Sequence, residues 1–269
     1  LPIFKYDDIK INYIKKGEGS PLVLVQGFGG KLTVWDFQIS FFKQKMMVIA
    51  LDNRGVGKSS RPNYPYTMDM FVEDLKNLLK FLDVQDKIHL CGHSMGGMIA
   101  QHFVLKYPNM VKSLILSATS PMFYGSVLDA FIQDLENISL EKQFERGLIF
   151  TFSRYFRKKL KEDKRLYEFL KNENLTNPTR LQDMKNQSVA ISKHNVINLL
   201  QNIIVPTLIM VGSQDIITPR KATQLLHEKI PNSTLEVLKG VGHQLIIESS
   251  EKVNNLMWNF IQQHLKEND

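Results

Sequence analysis

The chain has 269 residues, a length that a single wound α/β core accommodates, and its 43% hydrophobic content, with 16 Phe and 11 Met, is enough to fill one. A single cysteine, Cys91, excludes an internal disulfide framework and suits a reducing compartment. The net charge of +7 is concentrated in residues 154–171, where eight basic residues face three acidic ones; with no nucleic-acid motif beside it, this reads as a solvated helix face, and nucleic acid is not an expected partner.

Residues 3–6 and 9–15 read as an antiparallel pair around a turn at Asp7-Asp8. Leu22-Val23-Leu24-Val25 is a continuous apolar run, as in a strand covered on both faces, and Gly27, Gly29 and Gly30 follow it. A helix is expected over 33–44, a second buried strand over 46–51, and a polar, Gly-rich loop over 52–62. Met70, Phe71, Leu75, Leu78, Leu79 and Leu82 recur at helical spacing within 68–82. A third buried strand (87–91), a turn (92–97), a helix (98–107) stopped by Pro108 and a fourth strand (111–116) come next. This alternation predicts an α/β fold, a mostly parallel sheet with helices on both faces.

From 121 to 200 the alternation stops, and the helical patterns are 126–136, 143–156 and 166–172. Strands resume at 205–211 and 235–238, with helices at 219–230 and 248–264. The expected organisation is one core, 1–120 and 201–269, interrupted by a helical insert, 121–200. No run of about 18 apolar residues exists, so stable membrane insertion is not expected. The start, Leu1-Pro2-Ile3-Phe4-Lys5, lacks the charged-then-apolar order of a secretory leader, and the expected location is the cytoplasm. A start at Leu1 rather than Met leaves an upstream segment open.

The decisive stretch is Gly92-His93-Ser94-Met95-Gly96, a G-x-S-x-G between a buried strand and a helix. A strand-to-helix turn this sharp strains the serine backbone and requires small neighbours, and it lifts the hydroxyl above the sheet edge. A serine hydroxyl needs a base. His243, in Gly240-Val241-Gly242-His243 after the last strand, is placed for that role. His89 lies within a strand, His102 in a helix, His227 and His264 in late helices and His194 in the insert; His93 adjoins the serine, with its side chain expected to point elsewhere. Asp215, in Gly212-Ser213-Gln214-Asp215 after the preceding strand, is the expected orienting acid. The order Ser94, Asp215, His243 is the one this architecture requires. Oxyanion donors are expected from the backbone N–H groups of Met95 and Phe28, the latter in Gln26-Gly27-Phe28-Gly29-Gly30.

With Asp52-Asn53-Arg54-Gly55-Val56-Gly57-Lys58-Ser59 added, these segments make the chain resemble, over nearly its whole length, α/β-hydrolases of the esterase, lactonase and 3-oxoadipate enol-lactonase-like group. The resemblance implies a helical lid at 121–200. It departs at Gln26, where the family usually has His; an amide there is expected to hydrogen-bond and brace the oxyanion loop. A serine nucleophile argues against the epoxide hydrolases and haloalkane dehalogenases of this fold, which use Asp. Gly57-Lys58-Ser59 is not a phosphate loop, because position 52 is Asp, and Gly27-Phe28-Gly29 lacks the third glycine of a dinucleotide fingerprint.

The expected function is hydrolysis of small carboxylic esters through an acyl-enzyme on Ser94, with no cofactor and no metal, on a small-molecule ester or lactone partner. Lactonase, carbon–carbon bond hydrolase, monoacylglycerol lipase and perhydrolase or haloperoxidase side activity share the triad, and a ligand-binding protein that retains the fold is the alternative of another class. Nothing in the sequence marks an oligomeric state. Phe123, Tyr124, Phe131, Phe144, Phe150, Phe152 and Phe156 are the large apolar residues of the insert, divided between its own core and an acyl pocket.

Overall fold

The computed structural model describes residues 1–123 and 127–265. They form an eight-stranded sheet: β1 (Ile3–Tyr6), β2 (Ile9–Lys16), β3 (Pro21–Val25), β4 (Met47–Leu51), β5 (Ile88–His93), β6 (Val111–Ser117), β7 (Thr207–Gly212) and β8 (Ser233–Leu238). The spatial order is β1-β2-β4-β3-β5-β6-β7-β8. β1 pairs with β2, and β2 with β4, antiparallel; every other neighbour pair is parallel. The chain runs from β3 outward to β4, then crosses back to β5 on the other side of β3. The carboxyl ends of β3 and β5 therefore flank the point where the winding reverses, where open α/β sheets bind ligands.

Alternate residues of β3 serve two cores. Val23 and Val25 pack with α2 (Met68–Phe81) and α3 (Met95–Lys106), represented by Phe71, Leu75, Ile99 and Phe103. Leu22 and Leu24 pack on the opposite face with α1 (Asp36–Phe42), through Ile39 and Phe42, and with Val253, Met257 and Ile261 of the last helix. A strand apolar at every position is thus explained by burial on both faces.

Between β6 and β7 lie α4 (Val127–Glu136), α5 (Leu140–Thr151), α6 (Arg154–Glu162), α7 (Lys164–Leu175) and α8 (Leu181–Ser192). The chain leaves and re-enters this region through a short antiparallel neck: Met122 bridges Asn195, Phe123 N–H donates to the His194 carbonyl at 3.0 Å, and Val196 N–H to that of Pro121 at 2.9 Å. After it come α9 (Arg220–Lys229), α10 (Leu245–Glu248) and α11 (Ser250–Gln263). No helix among the described residues is long and apolar enough to cross a membrane.

Several expected elements differ. The helix of 98–107 starts three residues earlier, at Met95, because the turn before it is the single residue Ser94. The pattern over 143–156 is two helices, broken where Ser153 caps α6 by accepting from Phe156 N–H at 3.1 Å. α8 has no counterpart in the expected elements. Tyr124 and the expected helix start at Ser126 lie outside the described residues. Phe144, Phe152 and Phe156 are buried in the core shared with α1 and α11, and Phe131 meets Phe150 edge-on at 5.3 Å. The basic side chains of α6 and α7 are exposed or half-exposed.

Candidate active site

Ser94 joins β5 to α3 with φ +55° and ψ −121°, a conformation that costs a non-glycine residue about 1–3 kcal/mol. Close packing enforces it. A Cβ on Gly92 would overlap the Gly96 carbonyl, and one on Gly96 would overlap the Val25 carbonyl of β3. Ser94 N–H donates to the Ser117 carbonyl at 2.8 Å, and its own carbonyl accepts from Thr119 Oγ1 at 2.7 Å. The elbow is therefore fastened to the end of β6.

Asp215 leaves β7 and His243 the loop after β8, so neighbouring strands bring them together. His243 Nδ1 lies 2.8 Å from Asp215 Oδ2, and the side chains are 5% and 0% exposed. The other carboxylate oxygen accepts from the N–H groups of Ile217 (2.8 Å) and Thr218 (2.9 Å). Thr218 Oγ1 donates to the Ala118 carbonyl at 2.9 Å, which ties the Asp215 loop to the same end of β6 that holds Ser94. Glu248 of α10 anchors the His243 loop: one of its oxygens accepts from Gly242 N–H at 3.1 Å and Ser153 N–H at 3.0 Å, and the other from the Ser153 hydroxyl.

His93 is nearer the centre than the sequence implied. Its ring lies 5.0 Å from that of His243 and its Nδ1 is 3.1 Å from Ser117 Oγ, because the last residue of β5 turns its side chain toward the β8 loop. Burial, with a contribution from the charge of His243, holds the His93 imidazole well below its ordinary pKa, so a neutral ring faces His243. His102 and His194 form a second, partly buried pair, Nε2 to Nδ1 at 3.1 Å, and His194 Nε2 donates to the Ser120 carbonyl at 3.0 Å. His89 is paired with Ser113 Oγ at 2.7 Å inside the sheet. Cys91 is buried, and burial raises its thiol pKa.

The loop after β3 closes on Ser94 from the other side. A Cβ on Gly27 would lie 2.8 Å from Ser94 Cβ and 3.4 Å from Met95 N. Gly30 N–H donates to the Gly27 carbonyl at 3.2 Å, making a turn whose third residue, Gly29, has φ +65°, the sign a type II turn demands. Phe28 N–H has no acceptor among the described residues, and Met95 N–H is the first of α3, where a helix has no internal partner to offer. The segments that carry these two free donors meet at Gly27 and Ser94.

Bracing of this loop differs from the expectation for Gln26. The Gln26 side chain packs under Gly30 with its amide unbonded and its Oε1 buried without a partner, so it is not the hydrogen-bonding brace. That work falls to Asn53 Nδ2, donating to the Gln26 carbonyl at 2.7 Å, and to Asp52 Oδ1, accepting from Leu32 N–H at 2.7 Å. It falls also to two residues that sequence reasoning missed. Gln187 Oε1 accepts from Gly29 N–H at 2.9 Å, and Thr179 Oγ1 donates to the Gly29 carbonyl at 2.8 Å. Arg54 faces away, in a bidentate pair with Asp74 at 2.7 Å.

Among the described residues no group of three or more His, Cys, Asp or Glu is placed to hold a metal. A groove of about 570 Å³ between α6, α7 and α11, lined by Phe156, Lys159 and Lys252, does not include Ser94 or the two free donors.

Residues 20–250 match the family described as alpha/beta hydrolase fold. The 3-oxoadipate enol-lactonase 2 of Acinetobacter baylyi is 28% identical over 264 residues, covering 95% of this chain and 96% of that protein. The dihydrolipoyllysine-residue acetyltransferase component of the acetoin cleaving system of Pseudomonas putida is 30% identical over 249 residues; the match covers 91% of this chain and 64% of that longer protein. The crystal structure of MGS-M2, an alpha/beta hydrolase enzyme from a Medee basin deep-sea metagenome library, superposes with a TM-score of 0.90 at 25% identity, covering 100% of this chain and 99% of that one.

Proposed function

The chain belongs to the α/β-hydrolase family, and from that premise we propose that it is a serine hydrolase of small, uncharged carboxylic esters, with Ser94 as nucleophile, His243 as base and Asp215 as the acid that orients it. The observation that carries the reading is the buried Asp215–His243 pair, hydrogen-bonded into the same strand end as the strained Ser94 elbow. A fold that keeps Ser94 strained at about 1–3 kcal/mol argues for use of its hydroxyl and against a pocket that only binds.

In this mechanism Ser94 Oγ attacks the ester carbonyl carbon while His243 Nε2 takes the hydroxyl proton. Asp215 accepts the Nδ1–H bond, which fixes the tautomer and stabilises the imidazolium. The carbonyl electron pair moves onto oxygen and is met by the N–H groups of Phe28 and Met95. The intermediate collapses, the bond to the alcohol oxygen breaks, and His243 returns its proton to the leaving alcohol. Water then attacks the acyl-enzyme, giving its proton to His243, and release of the acid restores the Ser94 hydroxyl.

Helices α4–α8 serve as a lid over this edge. Support comes from Met184 of α8, whose Cε is 3.7 Å from where a Gly29 Cβ would stand, and from half-buried Phe28 and Phe123 beside the apolar core. Such a wall favours short to medium acyl chains, each methylene adding up to about 0.8 kcal/mol to transition-state binding until the space is full. A second reading is lactone opening. The likeness to the Acinetobacter enol-lactonase favours it, and a lactone would acylate Ser94 by the same step with the alcohol still tethered.

The test is a panel of p-nitrophenyl esters from acetate to palmitate, with lactones and thioesters, run on the wild type and on Ser94→Ala. The expected result is a kcat/KM maximum at a short or medium chain and a loss of about 10⁴–10⁶-fold in the variant. Activity on lactones with none on esters would transfer the assignment to the second reading, and full turnover by Ser94→Ala would end both.

A further inference from the structure

We infer that Gln187 is a positioning residue of the oxyanion hole, and that through it α8 of the insert, rather than the core alone, sets the aim of the Phe28 donor. The inference rests on the serine-hydrolase reading above and goes beyond it.

Phe28 N–H belongs to the peptide between Gly27 and Phe28, so its direction depends on the turn that Gly27 to Gly30 make. One end of that turn is held by the core, where Asn53 Nδ2 grips the Gln26 carbonyl and Asp52 Oδ1 grips Leu32 N–H. Among the described residues, its apex, Gly29, takes hydrogen bonds to side chains from the insert alone. Gln187 Oε1 accepts Gly29 N–H, and Thr179 Oγ1 donates to the Gly29 carbonyl, so both peptide faces of the apex are fixed by residues 150 or more positions away. With φ +65° and no side chain of its own to pack, Gly29 is fixed by these two bonds together with the Gly30-to-Gly27 bond that closes the turn.

Gln187 is itself held rigidly. It is fully buried, and its Nε2 donates to the Arg54 carbonyl at 3.1 Å, so both ends of the amide are used. The helix that carries it is seated by polar groups of the same face. Asp183, with no exposure, pairs with Arg180 at 2.7 Å and Arg61 at 3.5 Å, and the Asn186 carbonyl accepts Tyr66 N–H at 3.0 Å. A displacement of α8 therefore leaves Gly29 N–H without its acceptor and frees the turn. Seating of the insert and alignment of the oxyanion donor become one event.

A bond that only aims a donor contributes in the transition state, where charge forms on the carbonyl oxygen, and hardly at all in the ground state. Gln187→Met keeps the length of the side chain and removes both hydrogen bonds. It should lower kcat for p-nitrophenyl butyrate about 10-fold, below the 10²–10³ of losing a donor outright, with KM within about twofold. The inhibition constant of butylboronic acid, whose tetrahedral adduct puts an oxygen in the hole, should rise by a similar factor. Thr179→Val should lower kcat about threefold, and Thr179→Ser, which keeps the hydroxyl, should restore it. A residue with a merely structural role would shift the melting temperature and leave kcat and boronate affinity in place below it. Wild-type kcat and boronate affinity in both Gln187→Met and Thr179→Val would overturn the inference; if Gln187→Met does not fold, Thr179→Val and Thr179→Ser decide it. Ser94→Ala assayed alongside separates the two failures: its inactivity leaves the hydrolase reading standing when Gln187→Met is normal, and its full turnover removes both.

Discussion

Asp215→Asn is a stringent perturbation because the surroundings of this carboxylate dictate how the amide must sit. One oxygen accepts the N–H groups of Ile217 and Thr218, and the other faces His243 Nδ1 at 2.8 Å. An asparagine keeps its carbonyl on the two amides, since turning it would leave both donors facing an NH2, at a cost of about 1–3 kcal/mol for each one unsatisfied. Its NH2 is then directed at His243 and can only donate. Nδ1 becomes the acceptor, the ring proton moves to Nε2, and no lone pair remains to take the Ser94 proton. The expected loss in kcat is about 10⁴-fold, or about 5 kcal/mol of transition-state stabilisation. Because size and shape are retained in a fully buried side chain, stability should change by about 1 kcal/mol or less. Steady-state hydrolysis of p-nitrophenyl butyrate, with a urea titration as control, measures both. A kcat within about 10-fold of wild type in a normally folded protein would refute the argument that this bond sets the tautomer.

The same substitution should have opposite signs at two glycines. Gly96→Ala drives a Cβ into the Val25 carbonyl and should cost about 3 kcal/mol or more in a denaturant titration, whereas Gly147→Ala, with open space around it within α5, should gain about 0.5–1 kcal/mol. At the neck of the insert, burial lowers the His194 pKa to about 4. Between that value and the unfolded value of about 6.5 the unfolded chain binds a proton that the native state refuses, so the contribution is whole above about pH 6.5 and is lost as pH falls toward 4. His194→Gln should flatten the decline of stability between pH 7 and 4.5 by about 3 kcal/mol at most, and an unchanged slope would contradict this assignment. Gln26→Leu removes a buried oxygen that has no partner, so it should leave kcat within about threefold and stability unchanged or higher by about 1 kcal/mol, as read by kinetics and thermal melts.

Much of this architecture is written in local pattern. Leu22-Val23-Leu24-Val25 announces a strand buried on two faces, and Gly92-His93-Ser94-Met95-Gly96 announces the elbow, because in each case the constraint lies within a few neighbouring residues. Asp215 and His243 were legible as the acid and the histidine in the loops that follow two successive strands, and adjacency of β7 and β8 brings them into contact. What was not legible is polar and long-range. The inner face of α8 carries Asp183, Asn186, Gln187 and Ser188, all buried, so it shows no apolar stripe at helical spacing. Asn186 and Gln187 are buried because they satisfy loop amides and carbonyls more than 100 residues away, and no pattern within the helix encodes those partners. The contact of His93 with His243 and the bonds from Ser153 to Glu248 also join distant parts of the chain and were hidden for the same reason. The break at Ser153 was masked by apolar residues on both sides that continue the helical period across a cap.

The central claim is that Ser94 carries an activated hydroxyl. Incubation of the protein with a fluorophosphonate, followed by intact-mass measurement and peptide mapping, tests it without any assumption about substrate. The account predicts one adduct per chain on the peptide containing Ser94, formed rapidly in the wild type and absent from Ser94→Ala and His243→Ala. No adduct on the folded wild type, or one that persists on another residue in Ser94→Ala, would contradict it.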